Sequence, residues 1–165
     1  MAGAVIIGAG PGIGQSVAVR FAREGLPVTL IARGGRALSD VASAVASHGV
    51  PVVTLKADST DRAELDAALD QAVAEHGVPD VVLYNAALIR ADTLGDISVR
   101  DHMEAWAVNV VGALSAAARL VPAMAARGSG TFLVTGGMPE PKPQYVSLSL
   151  GKAGVRTLVE LLAQQ

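Results

Sequence analysis

The chain of 165 residues is 51% hydrophobic, 17% charged and only 3% aromatic, with a formal net charge of −2. That length suits one domain spanning residues 1–165, whose core must be built from Ala, Val, Leu and Ile, a profile that fits a buried parallel sheet under alanine-rich helices. No stretch concentrates Lys or Arg, which argues against a nucleic-acid partner, and the lack of cysteine excludes disulfides, thiolate catalysis and cysteine-ligated zinc.

The opening MAGAVIIGAG has no basic n-region and its apolar run breaks at Gly8, so no signal peptide is predicted and a cytoplasmic location is expected. Short β-type runs then alternate with longer segments of helical period, the pattern of βαβ units feeding a parallel sheet. The first strand, Ala4–Ile7, runs into Gly8-Ala9-Gly10-Pro11-Gly12-Ile13-Gly14 and a helix over Ile13–Arg23. In this GxxxGxG loop Gly8 allows the tight turn, Gly12 lets backbone approach a phosphate, and Gly14 permits close packing of helix on strand. The helix start offers unpaired N–H groups and a positive dipole end, so the loop is predicted to hold the pyrophosphate of a nicotinamide dinucleotide. A P-loop is excluded because no Gly-Lys-Ser/Thr follows; a flavin or another nucleotide is the remaining alternative for this loop.

The second strand, Val28–Ala32, ends where a ribose 2′-OH is usually gripped by Asp or Glu, yet Ala32 is followed by Arg33 with Arg36 close behind. Arginine suits a 2′-phosphate, so NADP(H) is preferred over NAD(H). A helix over Ala37–His48, a third strand Val52–Ala57 and a helix over Arg62–His76 follow. Gly25 and Gly49 read as helix stops, and Asp61 with Glu64 as a capping-box-like start. The fourth strand is Val81–Tyr84. A long helix is predicted over Ser98–Ala126; its apolar stretch contains Asn109, Arg119 and Pro122, so it reads as a buried helix rather than a membrane span. Strand Thr131–Thr135 and a helix from Ser147 to the end complete a doubly wound α/β domain with sheet order 3-2-1-4-5, whose ligands sit at the carboxyl ends of the strands. His48, His76 and His102 have no metal-ligand spacing, so no metal is expected.

Four motifs together resemble the short-chain dehydrogenase/reductase family across nearly the whole chain. The loop GAGPGIG is similar to its glycine signature, Ala57-Asp58-Ser59 to its adenine-contacting Asp segment, and Tyr84-Asn85-Ala86-Ala87 to its NNAG motif with first Asn and last Gly replaced. Asn109, in Val108-Asn109-Val110-Val111-Gly112, resembles the helix asparagine that holds a water in the proton relay. The resemblance implies a Rossmann-type fold, cofactor contacts from Gly8 to Gly14 and from Arg33, Asp58, Ser59, Asn85, Ala86 and Lys152, and chemistry resting on a Ser, a Tyr and a Lys four residues after the Tyr. There the Lys binds the nicotinamide ribose and lowers the tyrosine pKa, so the phenol passes a proton to a carbonyl as hydride arrives from the cofactor.

Lys152, followed by Ala153-Gly154-Val155, matches the family's lysine, but Leu148 stands where its tyrosine belongs. Tyr145 lies seven residues before Lys152, about 10 Å away on a continuous helix, and could swing in if Pro141 and Pro143 keep the segment before Ser147 non-helical. Thr135, thirteen residues before Leu148, occupies the serine position and could offer a carbonyl a hydrogen bond. The expected function is an NADP(H)-dependent oxidoreductase acting on a small-molecule carbonyl or alcohol, with catalytic candidates Lys152, Asn109, Thr135 and Tyr145. The alternative is a dinucleotide-binding protein without catalysis, a redox sensor or partner subunit. The family continues past this point to a 3-2-1-4-5-6-7 sheet, so the fifth strand is expected as an apolar edge, either because the chain is a fragment or because association covers it. The resemblance implies a homodimer, or a higher homo-oligomer, formed through helices Ser98–Ala126 and Ser147–Ala163.

Overall fold

Five short runs rich in Val, Ile, Leu and Ala become the strands of one parallel sheet in the computed structural model, which describes residues 2–164. The strands are β1 (Ala4–Ile7), β2 (Val28–Ala32), β3 (Val52–Lys56), β4 (Val81–Tyr84) and β5 (Thr131–Val134), ordered β3-β2-β1-β4-β5 as the alternation predicts. Ile7 pairs in register with Ile31 and with Tyr84, and Tyr84 with Val134, so the central strands end level and leave one shared edge at their carboxyl ends.

Alternation along the strands feeds two cores. Ala4, Ile6, Val28, Leu30 and Leu83 pack against α1 (Ile13–Arg23) and α2 (Arg36–Ala46). Val5, Ile7, Val82 and Tyr84 point the other way, towards α3 (Arg62–His76), α5 (Gly112–Arg127) and α6 (Val146–Leu162). Three ends differ from the sequence expectation by one or two residues, β3 stopping at Lys56, β5 at Val134 and α2 at Ala46, while α6 starts one residue early at Val146 and stops at Leu162, three residues before the expected chain end. The Asp61 carboxylate caps α3 by accepting from the Glu64 N–H at 3.0 Å. The Glu64 side chain does not return to Asp61; it accepts from the Asp58 N–H at 2.9 Å, so only half of a capping box forms and the other half braces the loop after β3.

The long helix departs further from expectation. It is α4 (Val99–Trp106), a π turn over Ala107–Val111, and then α5, in place of one continuous α-helix over Ser98–Ala126. Val99–Arg127 is long and apolar enough by composition to cross a membrane, and half of its most apolar stretch is buried inside the protein. Ala113, Ala116, Ala117 and Leu120 are at most 2% exposed, which makes it a core helix of this fold. α6 lies close against the π turn because Gly151 and Gly154 carry no side chain. A Cβ at Gly151 would stand 2.9 Å from the Asn109 Cβ, and one at Gly154 would stand 3.1 Å from the Trp106 ring.

Candidate active site

The glycine loop leaves β1 at Gly8, whose φ of +85° excludes most side chains and whose Cβ would lie 2.7 Å from the Ala86 Cα. Gly14 is pressed as hard from the other side, where a Cβ would stand 2.6 Å from the Gly8 carbonyl. Between them the loop is open: nothing lies within 4 Å of a Cβ built on Gly10 or Gly12. Gly12, with φ +113°, is the N-cap of α1 and gives it no side-chain cap, and no acid stands in the first turn. The helix therefore presents free N–H groups to this space. Pro11, Gly12 and Ile13 are exposed at its rim.

A cleft of about 430 Å³ runs from this loop along the carboxyl edge, bounded by Arg33 and Asp58 on one side and by Ala86 and Val108 on the other. Asp58 and Ser59 meet it from the end of β3, and Asn85 from the end of β4. The Asp58 carboxylate accepts from the Thr60 N–H at 2.9 Å and hydroxyl at 2.8 Å. These bonds, with the Arg33 charge adding to them, hold it below the usual carboxylate range, so it stays an anion.

Beside the cleft, which it meets at Asn85 and Gly8, one hydrogen-bonded chain crosses three strand ends. Lys152 Nζ donates to the Thr135 carbonyl at 2.7 Å, the Thr135 hydroxyl donates to Asn85 Oδ1 at 2.7 Å, and Asn85 Nδ2 donates to the Gly8 carbonyl at 3.0 Å. Lys152 is only 7% exposed, and burial draws its ammonium below the usual lysine range. The Thr135 hydroxyl proton is already committed to Asn85 in this arrangement. Asn109 closes like a strand partner on Leu88, accepting from its N–H at 2.9 Å and donating to its carbonyl at 3.0 Å. Leu148 is 5% exposed and has no proton to give. Tyr145 stands just outside α6, with φ −142°, half-buried and free of the helix as its neighbouring prolines predict.

Two residues of this region lie outside the expected site: Asp92, which has no local sequence signal, and Tyr84, marked only by standing for the first Asn of the NNAG-like motif. Asp92, in the loop after β4, accepts from the Ser147 N–H at 3.1 Å and so caps α6 from 55 residues away, while the Ser147 hydroxyl meets His102 Nδ1 at 3.0 Å. Tyr84 is 1% exposed and donates its hydroxyl to the Val108 carbonyl at 2.6 Å. Burial pushes its phenol from 10.0 up to about 12, partly opposed by the Ser59 hydroxyl.

The Tyr84 shift has a stability consequence. Below pH 10 the folded and unfolded chains both keep the proton and the buried phenol contributes fully; as pH rises to about 12 the unfolded chain ionises first and the contribution is lost. About 2 to 3 kcal/mol should disappear across that window. Lys152 acts in the opposite sense, since the penalty on its buried ammonium is relieved as pH rises. Urea unfolding of the parent and of Tyr84→Phe from pH 9 to 12 isolates the phenol: the gap between them should close with rising pH.

A level-ended parallel sheet with a glycine loop at its first turn and a cleft at its carboxyl edge defines a Rossmann-type dinucleotide fold. Comparison with known proteins narrows this. The model of the short chain dehydrogenase family matches residues 2–165, and the chain belongs to that family. It is 36% identical over 127 residues to the glycine betaine reductase of Emericella nidulans, an alignment covering 77% of this chain and 10% of that protein. It is 29% identical over 164 residues to an uncharacterized oxidoreductase of Staphylococcus aureus, covering 98% of this chain and 70% of the relative. Among solved structures it superimposes on a short-chain dehydrogenase/reductase from Mycobacterium marinum with a TM-score of 0.91 and 29% identity, over 98% of this chain and 68% of that one. The chain is thus of oxidoreductase type with an NAD(P)-binding fold.

Proposed function

We propose that the chain, as one dinucleotide-binding domain over 1–165, binds NADP(H) in preference to NAD(H) and reduces a carbonyl or oxidises an alcohol of a small molecule. The observation that carries this is the pairing of an open cradle over Gly10 and Gly12 with Lys152 held at the far end of the same strand edge. The cradle fits a pyrophosphate: it is lined by backbone, opens on the free N–H groups of α1, and would be filled by any side chain at Gly10 or Gly12. Arg33 beside Ala32 supplies a planar cation for a 2′-phosphate, with no acid at the end of β2 to repel it. Gly8, Gly14, Asp58, Ser59, Asn85 and Ala86 shape the rest of the contact surface.

A bound nicotinamide supplies or accepts the hydride. Lys152 would hold the ribose beside it, anchored by the Thr135 carbonyl, and Asn109 would keep the loop at Leu88 closed over that end. Reduction of a carbonyl needs a proton donor, a role for the Tyr145 phenol swung in from the start of α6, while the Thr135 hydroxyl, once it releases Asn85, would offer the carbonyl a hydrogen bond. Replacing Arg33 by alanine should weaken NADPH binding about tenfold, the worth of one charge-assisted contact, and leave NADH unchanged. Fluorescence titration with NADPH, NADH and FAD tests it, and equal losses for NADPH and NADH would refute the 2′-phosphate assignment. If none of the three binds, the whole reading fails.

The buried Leu148 favours a second reading, a cofactor-binding sensor or partner subunit that turns nothing over. NADPH that binds but is not consumed with any aldehyde, ketone or quinone would select it. Met103, Val111 and Leu114 on the long helix and Leu150 and Leu161 on α6 are each at least 42% exposed, which supports a homodimer through these helices. A monomer mass in sedimentation at micromolar concentration would exclude the dimer.

A further inference from the structure

The π turn over Ala107–Val111 has a cause on the opposite wall of the core. Within the turn the Gly112 N–H reaches back five residues to the Ala107 carbonyl, so it is not directed at Val108, its ordinary partner four residues back. The Val108 carbonyl is met by the Tyr84 hydroxyl from β4 at 2.6 Å. A side-chain donor thus stands where a helix amide would in a regular turn, and the buried carbonyl stays satisfied. The fit is made by Gly112, where any Cβ would overlap the Tyr84 hydroxyl and come within 2.8 Å of the Ser59 carbonyl. One phenol therefore touches three things together: the end of β4, the loop at Ser59 on the cleft, and the turn that carries Asn109.

We infer that Tyr84 is a positioning residue whose hydroxyl holds the π turn so that the Asn109 amide closes on the backbone of Leu88, tying the loop at Ser59 to the loop at Leu88, both of which line the cleft. Asn109 is the next residue after Val108, and both of its amide hydrogen bonds depend on where the turn places it. In a regular α-helix the residues after the turn would rotate by about 100° relative to those before it, and the amide would leave Leu88. The consequence for the cofactor rests on the NADP(H) reading; the placement of Asn109 does not.

The chain has two asparagines, Asn85 and Asn109, so ¹⁵N-asparagine labelling gives two side-chain amide pairs in a single spectrum. In Tyr84→Phe, which keeps the ring and removes the donor, the Asn109 pair should shift and exchange faster while the Asn85 pair stays in place, and NADPH binding should weaken about fivefold, the worth of one hydrogen bond. A general loss of packing would move both pairs alike. In the parent, a slowly exchanging Tyr84 hydroxyl proton should show a cross-relaxation peak to the Gly112 amide, a measurement that does not depend on how the variant folds. An unmoved Asn109 pair in folded Tyr84→Phe, or no such hydroxyl proton in the parent, would overturn the inference. If the parent binds no NADPH, the functional reading falls while the amide comparison still decides the role of Tyr84.

Discussion

Gly10→Val should fold as stably as the parent and bind NADPH ten- to a hundredfold less tightly, the effect of about 1 to 3 kcal/mol of overpacking against the ligand alone. The reason is the asymmetry inside the glycine loop. At Gly10 the φ angle lies outside the left-handed region and nothing lies within 4 Å of an added Cβ, so the first atom of a side chain there meets no protein atom. The space it enters is the cradle between the loop and the N-terminus of α1. Gly8→Ala is the control with the opposite outcome: φ is +85° and the Cβ would press on Asn85 and Ala86 of the β4 loop, so the damage falls on folding. Urea unfolding and NADPH titration on the two variants separate these effects. A Gly10→Val protein that binds NADPH as the parent does would place the pyrophosphate elsewhere.

The second large effect is a gain. Leu148→Tyr sets a phenol four residues before Lys152 on α6, about 6 Å along the axis and on the same face. Beside that ammonium the phenol would ionise more readily and could act as general acid, a contribution of about 10²- to 10⁴-fold in rate. Leu148 is 5% exposed, so the larger ring costs about 1 to 3 kcal/mol of packing, which an unfolding curve will register. NADPH consumption across a panel of aldehydes, ketones and quinones should rise in Leu148→Tyr and fall back in the Leu148→Tyr, Lys152→Ala double variant. If the tyrosine variant binds NADPH as the parent does and gains nothing on any carbonyl, the missing phenol is not what limits this chain.

What the sequence could reveal was whatever is decided locally. The glycine spacing, the alternation of β-type and helical runs and the side-chain cap at Asp61 act within one or two turns, and the five strands and the first three helices appear within a residue or two of their expected places. The π turn was hidden because Trp-Ala-Val-Asn-Val-Val-Gly holds no break signal; its partners, Tyr84 and Leu88, lie 24 and 21 residues away. The Thr135 hydroxyl is taken by Asn85 across 50 residues, a partner from another strand end that local spacing does not encode. The Glu64 carboxylate goes to the Asp58 N–H, six residues back in the loop before its own helix, a local choice between two nearby donors that the spacing leaves open. The Tyr-for-Asn exchange at position 84 was visible as a departure, yet only the fold shows that Gly112 makes room for it.

Trp106, the chain's single tryptophan, ends α4 immediately before the π turn and lies against Gly154 of α6, with the His102 ring 6.2 Å away. Its emission comes from the seam between the two helices that carry Asn109 and Lys152. Reduced nicotinamide absorbs where tryptophan emits, so quenching at this one residue would report ligand arrival, loosening of the seam and unfolding of the Lys152 end without any added label.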